Sequence, residues 1–214
     1  MLRLYGFSRV NPIAHGRTRD LRVLWALEEM DQPFELVGLD HPAKELNTAA
    51  YRAVSPFEQI PVIEDDGLVL SESGAIVLYL ARKTGRLIPA DAAGAARVER
   101  WCFAALNTIE VPLLNLQLMD FVTHDSGANE YRGFLVQWAM RQLGALERWL
   151  EGREYVANDD FSVADILLSH VLTETDDPAL LDSHPGVREY RERCLSRASW
   201  RRTIERYRER VEAG

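Results

Sequence analysis

The sequence predicts an α/β domain followed by an all-α domain: a mixed four-stranded sheet with three helices, then helices alone. Three observations carry this. Strand-like and helix-like segments first alternate as βαβα and then close as ββα. Strand signals stop before Leu87-Ile88-Pro89-Ala90-Asp91, and only helical patterns follow. With 214 residues and 47% hydrophobic content, the chain has enough material for one large or two small cores. The expected division is 1–84, a linker at 85–91, and 92–214.

Leu2, Leu4, Tyr5 and Phe7 suggest a short first strand. A polar loop from Ser8 to about Thr18 follows, carrying Asn11-Pro12, Gly16, Arg9 and Arg17. It is longer than a usual strand-to-helix connection, and long loops often serve function. Asp20 to Met30 reads as a helix whose apolar face holds Leu21, Leu24, Trp25 and Leu27, with Glu28-Glu29 on its wet side. Pro33 ends it, and Phe34-Glu35-Leu36-Val37-Gly38 reads as the second strand. A short irregular helix is expected between His41-Pro42 and Tyr51.

The stretch that follows organises the domain. Ile60, Val62 and Ile63 are β-branched and flank Pro61, which has no ladder N–H and so belongs at a strand's edge or first residue. The isomer of the Ile60-Pro61 bond is open at this point. Asp66-Gly67 is a strong two-residue hairpin signal, because both centres of a type I′ turn need positive φ. Val69 and Leu70 return as the next strand. Ser71-Glu72-Ser73 then places hydroxyls and free N–H groups at the start of a helix, a ready site for an anion. That helix runs from about Ser73 to Thr84, with Gly85 as its C′ residue.

Asp91 to about Phe121 reads as one long helical segment, kinked where Pro112 removes a backbone donor. Thr123-His124-Asp125-Ser126-Gly127 breaks the chain, and a second long helix spans Asn129 to Leu150. In Phe161-Ser162-Val163-Ala164-Asp165-Ile166, Ser162 and Asp165 have the spacing of a capping box and Phe161 that of a staple onto Ile166. This lets a helix begin inside a core without orphan donors. Ser183-His184-Pro185-Gly186 starts another helix and Ser199-Trp200 a last one.

Composition narrows the function classes. Acidic residues number 33 against 25 basic, a net charge of −8, opposite in sign to that of a bulk nucleic-acid or anionic-membrane binder. Arginines near the end alternate with glutamates; Arg188/Glu192, Glu189/Arg193 and Arg201/Glu205 are spaced i,i+4, the pattern of a solvated, self-paired face. No apolar run of transmembrane length stands out, and Met1-Leu2-Arg3-Leu4-Tyr5 opens as a strand rather than a signal peptide. Cys102 and Cys194 are the only cysteines, so neither a disulfide framework nor an N-terminal CxxC is expected, and no His/Cys cluster has zinc spacing. No nucleic acid, membrane or metal partner is expected.

Ile60-Pro61, the hairpin and Ser71-Glu72-Ser73 together resemble the cytosolic glutathione transferase superfamily, in the bacterial-type form. Its thioredoxin-like domain carries a cis-proline before the third strand and a Glu-Ser pair opening the third helix. The resemblance extends over nearly the whole chain: the run from Arg22 to Glu29 is similar to the family's first helix, and the Ser162-x-x-Asp165 box resembles the one opening its buried sixth helix.

The resemblance implies a thioredoxin-like glutathione-binding domain, a helical domain for the second substrate, and glutathione as co-substrate with no metal. It implies that Ser73 takes the γ-glutamyl carboxylate and Glu72 the ammonium. The Ile60 backbone pairs with the cysteinyl unit beside Gln59 and Pro61, and Lys44 or His41 meets the glycyl carboxylate. A hydroxyl would hold the thiolate, which is the nucleophile. Thr18, at the helix start, is the favoured donor, with Ser8 and Tyr5 as alternatives and Arg17 and Arg19 strengthening the field. Tyr5, Phe7, Trp101, Ala105, Leu106, Ile109 and Leu113 are candidate walls for a small hydrophobic electrophile. The implied protein is a cytoplasmic homodimer, joined through the third helix and the first long helix, that transfers glutathione in detoxification. Glutathione-dependent peroxide or disulfide reduction, and a non-catalytic binding module of the same fold, are the alternatives.

Overall fold

The computed structural model describes residues 1–122, 128–174 and 178–212. The expected break at Thr123-His124-Asp125-Ser126-Gly127 lies outside the described residues. The chain groups into two compact units, Met1–Arg86 with Arg197–Gly214, and Leu87–Ser196.

The first unit begins with β1 (Arg3–Arg9), α1 (Asp20–Glu29), β2 (Glu35–Asp40), α2 (Ala49–Arg52), β3 (Val62–Asp65), β4 (Leu68–Ser71) and α3 (Ser73–Thr84). The sheet has the order β2-β1-β3-β4. β1 and β2 are parallel, with Leu4 opposite Leu36, as a βαβ crossover requires. β3 runs antiparallel to β1 with Ile63 opposite Leu4, and pairs with β4 as a hairpin. Asp66 and Gly67 have φ of 50° and 87°, both positive as the hairpin signal demands. Leu4, Leu21, Trp25, Ile63, Ile76 and Leu80 form the core between sheet and helices. The irregular segment after β2 resolves into a 3-10 turn at Glu45–Asn47 followed by α2.

The second unit holds α4 (Ala92–Ala104), a π-helical turn (Ala105–Ile109), α5 (Glu110–Val122), α6 (Ala128–Leu150), α7 (Val163–Val171), α8 (Pro178–Asp182) and α9 (Pro185–Leu195). It contains no strand among the described residues. Pro112 lacks the donor that would bond the Thr108 carbonyl, and the helix takes up the mismatch as the π turn spanning Thr108. The run Ala92–Met119 is, at 28 residues, long and apolar enough to cross a membrane by length and composition. Val98, Cys102, Ala105, Ile109, Leu113 and Leu116 of this run are buried, as in a core helix. α7 begins on the predicted capping box.

α10 (Ala198–Glu212) returns to the first unit and packs along α1. Arg197 grips Glu29 at 2.6 Å, Arg202 and Arg206 both bond Glu28, and Arg210 reaches Asp20 at 3.2 Å. The stripe at 202, 206 and 210 faces α1 because i,i+4 residues share one side of a helix. Glu28 and Glu29 are thus helix-helix partners rather than a wet edge. Trp25 and Trp200 pack between the same helices, ring centroids 4.8 Å apart.

Candidate functional site

A cleft in the first unit opens between the turn before β3 and the start of α3. Gln59, Ile60 and Pro61 line one side, and Ser71, Glu72 and Ser73 the other; Arg19, Ser55 and Phe57 complete it. The Ile60-Pro61 bond is cis. The turn is held from behind. The Ser55 hydroxyl accepts from the Gln59 N–H at 3.0 Å and donates to the Gln59 carbonyl at 2.9 Å, and the Tyr51 hydroxyl donates to the same carbonyl at 2.8 Å. Burial pushes the Tyr51 phenol up to about 12, so it stays a donor throughout the neutral range. Tyr51, Ile60, Val62 and Leu46 form a small apolar cluster under this rim.

The opposite rim is the N-terminus of α3. Glu72 sits at φ 69°, ψ 113°, a conformation uncommon for a non-glycine residue and costing about 1–3 kcal/mol. Its exposed side chain makes no capping bond to the helix. The Ile76 N–H bonds the Glu72 carbonyl, and the N–H groups of the turn before it have no intrahelical acceptor. Ser73 is 5% exposed, and the Nη1 of Arg22, itself 1% exposed, lies 3.4 Å from its Oγ. Free N–H groups, a hydroxyl and a buried guanidinium together favour a bound carboxylate, and the uncommitted Glu72 carboxylate favours a cation beside it.

The structure therefore brings together Gln59, Ile60, Pro61, Glu72 and Ser73. Arg19, expected to strengthen the field, lines the cleft too, whereas Thr18, Ser8, Tyr5, His41 and Lys44 do not. Thr18 is 7% exposed, and its hydroxyl bonds that of Tyr207 of α10 at 2.9 Å. The Tyr207 phenol is pushed up to about 12 by burial and by the nearby Asp20 carboxylate. Tyr5 donates to Glu64 at 2.9 Å and its ring meets Tyr51; burial, then the bond to Glu64, raises its pKa. Ser8 sits at the irregularity where β1 slips against β2, packed so closely on Gly38 that a Cβ there would lie 2.8 Å from it. His41 stacks edge-on with Phe7, and Lys44 adopts a left-handed φ of 62°; both are exposed in the segment after β2.

Asp20 explains why the start of α1 turns inward. Its carboxylate accepts from the Phe7 N–H at 3.1 Å and pairs with Arg210. Burial raises its pKa against the pull of Arg210, Thr18 and the Phe7 N–H, and burial likewise lowers that of Arg210.

Sequence reasoning missed Tyr51 and Ser55 as the clamp on Gln59, Arg22 behind Ser73, and Tyr207 behind Thr18. Only Arg22 left a signal, as a charged residue between Leu21 and Val23 on an apolar helix.

Residues 14–82 match the family model of the glutathione S-transferase N-terminal domain, and residues 130–198 that of the C-terminal domain. The chain is similar to a probable glutathione S-transferase of Oryza sativa subsp. japonica, 31% identical over 192 residues, covering 83% of this chain and 87% of that one. It is 28% identical over 201 residues to a glutathione S-transferase of Hyoscyamus muticus, covering 86% and 92%. Among solved structures, a glutathione transferase from Burkholderia graminis, with two glutathione molecules bound per subunit, superposes with a TM-score of 0.84 at 28% identity, covering 95% of this chain and 87% of that one.

Proposed function

The chain belongs to the glutathione S-transferase family, and from that premise we propose that it binds glutathione in the cleft of its first unit and presents the thiolate to a small hydrophobic electrophile. The observation that carries this is the convergence of Gln59, Ile60, Pro61, Glu72 and Ser73 on one cleft, with the start of α3 left uncapped by Glu72. In this reading the γ-glutamyl carboxylate sits on the α3 N–H groups and the Ser73 hydroxyl, with Arg22 behind, and its ammonium pairs with Glu72. The cysteinyl backbone pairs with Ile60 as an added strand would. Lys44 or His41, exposed in the segment after β2, is the basic residue assigned to the glycyl end. Conjugation needs the thiol proton to leave to solvent. The thiolate then forms a bond to the electrophile as the leaving group departs with its electron pair, or as a conjugate double bond takes up a proton.

The same reading takes the protein as a cytoplasmic homodimer joined through α3 and the α4–α5 helix. Phe103 of α4, 62% exposed, supplies apolar surface for such a contact. Calorimetric titration with glutathione, alongside an assay of conjugation to an activated aryl halide, tests the function. Saturable binding with turnover supports it, and absence of binding removes it.

A further inference from the structure

None of the three hydroxyls expected to hold the thiolate lines the cleft. The Thr18 hydroxyl is engaged by Tyr207 at 2.9 Å and by the Asp20 carboxylate. The Tyr5 hydroxyl donates its one hydrogen to Glu64. At the start of α1, Thr18 and Asp20 are both buried and anchored inward, to Tyr207 and to Arg210 with the Phe7 N–H. Arg19, between them, is half-buried and lines the cleft with Ile60, Pro61 and Ser73. It is also the N-cap residue of α1, where the helix dipole adds to its positive charge. The other charged side chain lining the cleft is Glu72, which the proposed function commits to the ammonium of the ligand.

We propose that Arg19 is the catalytic residue that stabilises the glutathione thiolate, a guanidinium acting where a hydroxyl was expected. This rests on the glutathione reading above. A guanidinium within a few ångströms of sulfur favours the anion by charge and by N–H donation, and needs no proton of its own to move. Thr18 then serves as a positioning residue: its bond to Tyr207 fixes the first turn of α1 and so aims Arg19.

The test is an ultraviolet titration of the thiolate in the glutathione complex of the wild type, Arg19→Gln, Arg19→Lys and Thr18→Val, with calorimetry of S-methylglutathione, which has no ionisable thiol. The wild-type complex should titrate below the ordinary thiol value of about 8.5. Arg19→Gln should raise that midpoint by about one to two pH units and Arg19→Lys by less. Both should bind S-methylglutathione within about threefold of the wild type, a change of about 0.7 kcal/mol or less. Thr18→Val should shift the midpoint less than Arg19→Gln does. A midpoint that moves with Thr18→Val but not with Arg19→Gln overturns the proposal. So does a tenfold loss of S-methylglutathione affinity in Arg19→Gln, which would make Arg19 a carboxylate ligand. If the wild type binds neither glutathione nor S-methylglutathione, the underlying glutathione reading has failed instead.

Discussion

Two helices of this molecule begin on a short polar sequence, and the structure treats the two starts in opposite ways. At α7 the donors around the helix start are met from inside the protein, the Val163 N–H by the Leu87 carbonyl and several more by one carboxylate. Asp165 accepts from the Ser162 N–H and hydroxyl on one oxygen, and from the Val156 N–H and the Tyr190 hydroxyl on the other, all at 2.8–2.9 Å. The site is sealed: Asp165 and Tyr190 are 0% exposed, and burial raises the pKa of both. At α3 the N-cap residue is Glu72, strained at φ 69° and bonded to none of the helix N–H groups through its side chain. One helix closes its own electrostatic account inside the protein. The other leaves donors and a carboxylate facing a cleft, which is the arrangement a zwitterionic ligand end needs.

The contrast can be broken from either side. The largest effect is expected at the closed start. Asp165→Ala strands two backbone donors, the Ser162 hydroxyl and a buried phenol, and should destabilise the fold by about 4 kcal/mol or more, at about 1–3 kcal/mol per unsatisfied group. Asp165→Asn, which keeps one acceptor oxygen, should recover part of that in denaturant unfolding. At the open start the effect on stability should change sign. Glu72→Gly relieves the positive φ and should stabilise by up to about 1 kcal/mol in the same unfolding experiment, while weakening glutathione binding through loss of the carboxylate. Ser73→Ala removes only a 3.4 Å contact to Arg22 and should change stability by less than about 1 kcal/mol. A loss at Ser73 as large as at Asp165 would mean that the two helix starts are the same kind of feature.

What the sequence disclosed follows the range of the interactions involved. The Asp66-Gly67 turn, the start of α3 at Ser73, its Gly85 cap and the Ser162-x-x-Asp165 box are set by residues within a few positions of one another, and each stands where the pattern put it. The cleft lining at Gln59, Ile60, Pro61, Glu72 and Ser73 was legible for the same reason, with the family resemblance supplying its meaning. The partners that arrive from far along the chain were not. Tyr207 meets Thr18 across 189 positions, and Arg197, Arg202 and Arg206 meet Glu29 and Glu28 of α1. An i,i+4 rule sees a helix alone and has no means of knowing that a neighbouring helix offers a better-placed, less hydrated carboxylate. Tyr51 and Ser55 behind Gln59 belong to the same class: they act through a backbone carbonyl, which carries no residue-type signal.

The most direct test of the account is a paired calorimetric titration of the wild type and Ser73→Ala with glutathione at neutral pH. The account predicts saturable binding by the wild type and at least a tenfold weaker constant for Ser73→Ala, about 1.4 kcal/mol, the scale of one hydrogen bond to a charged group. A wild type that does not bind, or a Ser73→Ala variant that binds as tightly, would contradict the claim that the open start of α3 is the ligand site.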